Sequence, residues 1–213
     1  MEIEVKYQLP SSEVLEAVWN DKKLMEITIP DSIEKVPMLA IYYDTKDRAL
    51  NRAGMVMRVR REGDDAFCTI KWNGKLVGGV YEREEINIPL QTKDAYCVPK
   101  AEVLEHYEKG REIVTLTQDS SLVPTLKMEF LRCRKKLNYG KNIIELALDQ
   151  GEIIAGEKTC DILEMELEHQ SGTDPLIVLE LGEVVAYDYG LELQTRSKYA
   201  RGLELLNMRD GSR

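Results

Sequence analysis

The sequence predicts an α+β fold, mainly antiparallel β, closed into a barrel with its charged faces inside and its helices packed outside. Three observations predict it. Six stretches, residues 1–9, 55–62, 67–72, 80–90, 142–150 and 161–169, alternate charged and apolar side chains at the strand period of two. On the charged faces, arginine pairs and glutamate pairs replace the Thr, Ser, Gln and Lys of an ordinary wetted face. Two amphipathic segments, 12–27 and 175–189, need an apolar sheet face to cover, and the alternate residues provide it. For any single strand, a sheet wetted on one side is the better explanation. Closing the sheet with its charges inward accommodates the whole set together with the helices.

Residues 1–9 place Glu2, Glu4 and Lys6 on one face and Ile3, Val5 and Tyr7 on the other. Pro10-Ser11-Ser12-Glu13 then supplies a break, a hydroxyl N-cap and an acid in the first turn, and Val14, Leu15, Val18 and Trp19 recur at helical spacing to about Ile27. A loop over 30–34 leads into a strand over 36–43, and 46–53 reads as two helical turns closed by Gly54 in the left-handed region. The stretch 55–62 sets Val56, Arg58, Arg60 and Glu62 against Met55, Met57 and Val59. After a turn at 63–65, residues 67–72 set Thr69 and Lys71 against Cys68, Ile70 and Trp72, and Asn73-Gly74 signals the next turn. Residues 80–90 place Arg83, Glu85 and Asn87 opposite Val80, Ile86 and Ile88.

From about 91 to 123 the texture changes to an insertion, mostly helix and loop, too short to build its own core. A strand over 125–138 carries Arg132 and Arg134. Residues 142–150 set Glu145, Ala147 and Asp149 against Ile144, Leu146 and Leu148 until Gly151 ends the run, and 161–169 set Glu164, Glu166 and Glu168 against Leu163, Met165 and Leu167. Asp174-Pro175 opens a helix closed by Gly190. Residues 191–206 bring Arg196, Lys198 and Arg201, and 208–213 are expected to be a flexible tail. Residues 1–207 therefore read as a single domain.

With 213 residues and 43% hydrophobic content the chain can bury a core. No window approaches the ~20 apolar residues of a membrane span, and the first residues are acidic and strand-like, so a soluble, cytoplasmic protein is expected. Cys68, Cys97, Cys133 and Cys160 form no CxxC pair and read as reduced thiols. A net charge of -9 argues against a general nucleic-acid or membrane surface, so any anionic ligand must meet locally concentrated cations.

Such cations share the charged strand faces: Lys6, Arg58, Arg60, Lys71, Arg83, Arg132, Arg134 and Lys198, with Arg201 a further candidate. The acids there are Glu2, Glu4, Glu85, Glu145, Asp149, Glu164 and Glu166. Carboxylates paired two residues apart suit a hard divalent cation, so Mg²⁺ or Mn²⁺ is the expected cofactor; two histidines, His106 and His169, do not make a zinc site. The Arg-x-Arg pairs and lysines suit several phosphate oxygens at once. Together they describe a site for linked phosphates plus metal, where positioning and charge stabilisation carry catalysis. Gly78-Gly79 lacks the P-loop spacing, and no histidine lies where a nucleophile triad needs one.

The segment Glu2-Ile-Glu-Val-Lys6 resembles the ExExK signature of the CYTH superfamily, the triphosphate tunnel metalloenzymes. The likeness continues through Tyr42-Tyr-Asp-Thr45, Arg58-Val-Arg60, Lys71, Arg83-Glu-Glu85, Arg132-Cys-Arg134, the run from Ile144 to Gly151, Glu164-Met-Glu166 and the run from Ser197 to Gly202. The 71–85 segment and the run ending at Gly151 look most like the inorganic triphosphatase branch, in which such a domain often precedes a CHAD domain; no second domain is expected here. The resemblance implies an eight-stranded antiparallel tunnel. It implies metal at Glu2, Glu4, Asp149, Glu164 and Glu166. It implies substrate binding by Lys6, Arg58, Arg60, Lys71, Arg83, Arg132, Arg134, Lys198 and Arg201, with Glu2, Glu4, Lys6 and Lys71 as the catalytic set. Met128 and Phe130 share the parity of Arg132, so either a bulge intervenes or they lie beyond the tunnel mouth.

The expected activity is metal-dependent hydrolysis of a small triphosphate, inorganic triphosphate first. Conversion of ATP to cAMP and cleavage of thiamine triphosphate are the alternatives, with Tyr42, Tyr43 or Trp72 as rings for the latter; a non-catalytic polyphosphate or nucleotide binder ranks last. A homodimer stays open as an assembly.

Overall fold

A computed structural model describes residues 2–91, 97–118 and 120–207. Its strands are β1 (Glu2–Gln8), β2 (Glu34–Thr45), β3 (Val56–Glu62), β4 (Asp65–Val77), β5 (Val80–Leu90), β6 (Leu122–Tyr139), β7 (Asn142–Ala155), β8 (Lys158–Gly172) and β9 (Glu192–Leu193). Its helices are α1 (Ser12–Trp19), α2 (Lys22–Glu26), α3 (Ala49–Arg52), α4 (Ala101–Leu104), α5 (Glu108–Thr117), α6 (Ile177–Tyr189) and α7 (Lys198–Asn207). The strand order β5-β4-β3-β2-β6-β7-β8-β1 closes through β1 pairing with β5, so eight antiparallel strands form a barrel; β9 adds two residues beside Tyr7 and Gln8 of β1. The expected tail over 208–213 lies outside the described residues.

Alternation decides which side chains enter the barrel. The odd residues Ile3, Val5 and Tyr7 of β1 pack outward with Leu146, Leu148, Met165 and Leu167 beneath α1 and α6. A second outer cluster joins Met57, Val59, Cys68 and Ile70 to Leu104 and Ile113 of the helical stretch after β5. A third, Ala40, Tyr42, Leu126, Met128, Ile153 and Ile162, has the parity of the inner face, and Tyr199 and Leu203 of α7 pack against it. The barrel interior is thus charged over one stretch and apolar over another, with α7 against the apolar part. This places Met128 and Phe130: the β6–β7 register runs unbroken from Lys127 to Tyr139, so no bulge intervenes, and both residues belong to the inner apolar section.

Four local expectations are corrected. The helix expected over 12–27 is two helices, because Asp21 caps a new one by accepting from the Leu24 amide at 2.9 Å. Only 49–52 of the expected 46–53 helix forms. Arg48 sits in the left-handed region, and the Asp44 carboxylate takes the Leu50 and Asn51 amides at 2.9 and 3.0 Å. Asn73-Gly74 is a register shift inside β4 and not its end; the hairpin turns at Gly78-Gly79, both with positive φ.

Gly151 does not end its strand, since β7 runs on to Ala155. It is glycine because a Cβ there would lie 2.1 Å from the Glu129 carbonyl oxygen and 2.5 Å from the Phe130 Cα. Gly151→Ala is therefore expected to destabilise by roughly 2–3 kcal/mol through forced separation of β6 and β7, read as a lower midpoint in urea unfolding. Among the described residues no helix is long and apolar enough to cross a membrane.

Candidate active site

Closure brings the inner faces of all eight barrel strands round one cavity of about 660 Å³. Glu2, Glu4, Lys6, Arg58, Arg60, Lys71, Arg83, Arg132, Arg134, Glu166 and Lys198 all line it, so most of the sequence-derived set meets in one place. Asp149, Glu164 and Arg201 do not line it. They form a layer behind Glu166, with Asp149 and Glu164 at 0% exposure and the Arg201 guanidinium 2.5 Å from Glu164.

The β1–β5 register sets Glu2 opposite Arg83. Arg83 donates to both Glu2 and Glu4, and Lys71 lies 3.1 Å from Glu2 and 2.6 Å from Glu85. Burial opposes the charged form of Glu2, but Lys71 and Arg83 outweigh it and hold the carboxyl well below the usual range. Burial, Arg83 and Arg58 together lower the Lys71 ammonium. Lys6 bridges Glu4 and Glu166 at 2.6 Å each.

Glu166 is the junction of the site. It meets Lys6, Arg132 at 2.6 Å and Lys198 at 2.9 Å. Burial works against its charge, yet Lys198, Lys6 and Arg132 keep it far below the ordinary carboxylate value. Behind it, Arg132 holds Asp149 with two bonds of 2.7 Å, and the Lys198 ammonium touches Asp149, Glu164 and Glu166. Oxygens of those three carboxylates lie within 4.8 Å of one another. The donor set suits a hard divalent cation, since every candidate ligand is a carboxylate oxygen. Of the residues expected to hold metal, Glu2, Glu4 and Glu166 line the cavity, and Glu166 alone of these also belongs to the close group with Asp149 and Glu164. Glu168, opposite Glu4 in the register, is pushed up to about 8 by burial and by Glu2, Glu4 and Glu145. That local excess of negative charge is what a bound cation would relieve.

The cations have the converse imbalance. Among the described residues Arg58 has no carboxylate partner; its one hydrogen bond goes to the Tyr42 hydroxyl at 3.3 Å, and its Nε is unbonded. Arg60 also has an unbonded Nε and pairs with Glu62 at 3.2 Å; burial, Arg58 and Arg132 lower it to about 10. Two guanidiniums of the cavity wall with unbonded Nε groups, Arg60 crowded by Arg58 and Arg132, are groups that can take an anion. Arg134 differs, being held by Glu62 at 2.5 Å and Glu34 at 2.7 Å at the cavity's edge.

Two lumen acids, Glu168 and Glu62, stand outside the set of site residues expected from the sequence. Both were readable as the next members of their own alternations. Tyr42 was weighed only as a flat ring for an organic substrate, but its face is stacked on Tyr199 with centroids 5.1 Å apart. Tyr43 packs in the outer cluster, while Trp72 lines the cavity together with Tyr42.

Burial disfavours the Glu62 carboxylate, but Arg60 and Arg134 pull it below 4.5, so its folded value lies under its unfolded one. Its contribution to stability is present above that unfolded value and lost as pH falls through the depressed folded one. Stability of Glu62→Gln should therefore fall less steeply than wild type on acidification below about pH 4.5, read as Tm against pH.

The model of the CYTH domain family matches residues 1–203. An inorganic triphosphatase of Haemophilus influenzae is 32% identical over 161 residues, 76% of this chain and 44% of that protein, so the chain spans less than half the length of this curated relative. Among solved structures, a Hippeastrum candidate adenylyl cyclase described as having a dominant triphosphatase activity superposes with a TM-score of 0.72 at 22% identity, covering 96% of each chain. The PH1819 protein of Pyrococcus horikoshii superposes at 0.58 with 20% identity, covering 96% of this chain and 99% of that one. The mimivirus capping-enzyme triphosphatase gives 0.52 at 14%, covering 88% and 89%. At these identities the structural likenesses establish the fold.

Proposed function

The chain belongs to the CYTH domain family, and from that premise we propose that it hydrolyses inorganic triphosphate to diphosphate and orthophosphate with Mg²⁺ or Mn²⁺. The observation that carries this reading is the pair Arg58 and Arg60, guanidiniums with unbonded Nε groups that line the same cavity as Glu2, Glu4 and Glu166. The 32% identity to an inorganic triphosphatase supports the choice of substrate.

In this mechanism Arg58 and Arg60 bind the non-reacting phosphates, and Lys71 and Lys6 face the charge that builds on the cleaved group. Arg132 and Lys198 fix the orientation of Glu166 through their bonds to it and to Asp149. Glu2, Glu4 and Glu166 would hold the divalent cation, which supplies charge neutralisation and activation of a water molecule. Arg83 keeps the Glu2 and Glu4 carboxylates turned into the cavity.

A second reading, an organic triphosphate, draws on one observation. The cavity of about 660 Å³ is also lined by Met38, Met55, Trp72 and Phe130, more apolar wall than three phosphates need. A panel of inorganic triphosphate, ATP and thiamine triphosphate, scored by product identity, separates the readings. Diphosphate with orthophosphate from inorganic triphosphate is the expected main result. Cyclic nucleotide with diphosphate from ATP, or faster cleavage of thiamine triphosphate, would displace it, and tight binding of triphosphate without turnover would make the protein a sensor.

A further inference from the structure

Among the described residues Arg58 forms no ion pair with a carboxylate, although the Glu85 charge favours its charged form from farther off. Its one hydrogen bond runs to Tyr42, which is 4% exposed and lines the cavity. In that bond the guanidinium donates and the phenol oxygen accepts, so the hydroxyl keeps its own proton to donate. The Tyr42 ring stacks on Tyr199 at an interplanar angle of 23°. Tyr199 follows Lys198, the ammonium in contact with Asp149, Glu164 and Glu166. One side chain therefore joins the arginine wall on β3 to the first turn of α7, which carries the lysine of the carboxylate cluster.

We propose that Tyr42 is a further substrate-site residue, whose hydroxyl presents Arg58 and donates to a phosphate oxygen of the substrate while its stacked ring seats the first turn of α7. This rests on the reading of Arg58 as a phosphate-binding group. The two functions of the side chain separate by mutation. Tyr42→Phe keeps the stack and deletes the hydroxyl; Tyr42→Leu deletes both.

Loss of one hydrogen bond to a charged group is expected to raise KM for inorganic triphosphate roughly tenfold in Tyr42→Phe, with kcat within about twofold of wild type because the contact is made equally in ground and transition states. Amide hydrogen exchange over 198–203, measured on the full chain without substrate, is expected to match wild type in Tyr42→Phe and to quicken in Tyr42→Leu. The exchange arm needs no substrate, so it tests the seating of α7 even where wild type fails to cleave triphosphate, the result that would fault the functional reading. A wild-type KM in Tyr42→Phe overturns the hydroxyl's role. Unchanged exchange over α7 in Tyr42→Leu overturns the link. A Tyr42→Phe protein with lowered kcat, unchanged KM and quickened exchange over α7 would mark the residue as merely structural.

Discussion

Lys71→Ala is expected to lower turnover of inorganic triphosphate by roughly 10²–10³, the scale for loss of one preorganised donor at developing charge. The Tm should stay within about 4 °C of wild type, which for a chain of this size is ~1 kcal/mol. Two effects nearly cancel in the fold. Removing the ammonium costs Glu2 a partner at 3.1 Å and Glu85 one at 2.6 Å. It also removes a buried cation crowded by Arg83 and Arg58, and Glu2 keeps Arg83. Substrate meets no such compensation, so activity and stability should part company. Steady-state kinetics beside a thermal melt checks this, and loss of the folded state would make Lys71 a structural residue.

Glu166→Gln should do both kinds of damage. Turnover is expected to fall by more than about 10³, since one change removes a cation ligand and the orienting partner of three basic groups. Stability should fall by roughly 2–3 kcal/mol, short of the full cost of an orphaned buried charge. Each cation keeps another acid: Lys6 has Glu4, Arg132 has Asp149, and Lys198 has Asp149 and Glu164. A third readout bears on the metal alone. Mg²⁺ or Mn²⁺ should raise the Tm of wild type by mass action and leave Glu166→Gln unmoved. An equal rise in both proteins would take Glu166 out of the cation site.

The barrel was legible because a strand's period of two exposes facing directly: Glu2, Glu4 and Lys6 could only enter together, and they did. The gathering of Arg58, Lys71, Arg83 and Glu166 was legible for the same reason, face by face. Depth along the barrel axis was not. Parity says that Asp149 and Glu164 point inward, but not that Arg132 and Lys198 seal them from the cavity. Asn73-Gly74 misled because a glycine-containing pair can serve a bulge as well as a turn. Gly151 misled because its reason is a backbone 2.1 Å away from where its Cβ would be, contributed by a strand some 20 residues earlier. Tyr42 looked like a flat ring awaiting a ligand because its stacking partner, Tyr199, is far off in sequence.

The central claim, that this lumen cleaves triphosphate with the help of a divalent cation, is tested most directly by ³¹P NMR of inorganic triphosphate incubated with the protein. With Mg²⁺ or Mn²⁺ present, one diphosphate and one orthophosphate should appear for each triphosphate consumed, and a chelator should stop the reaction. Undiminished triphosphate in the presence of metal, or cleavage that the chelator leaves untouched, would contradict it.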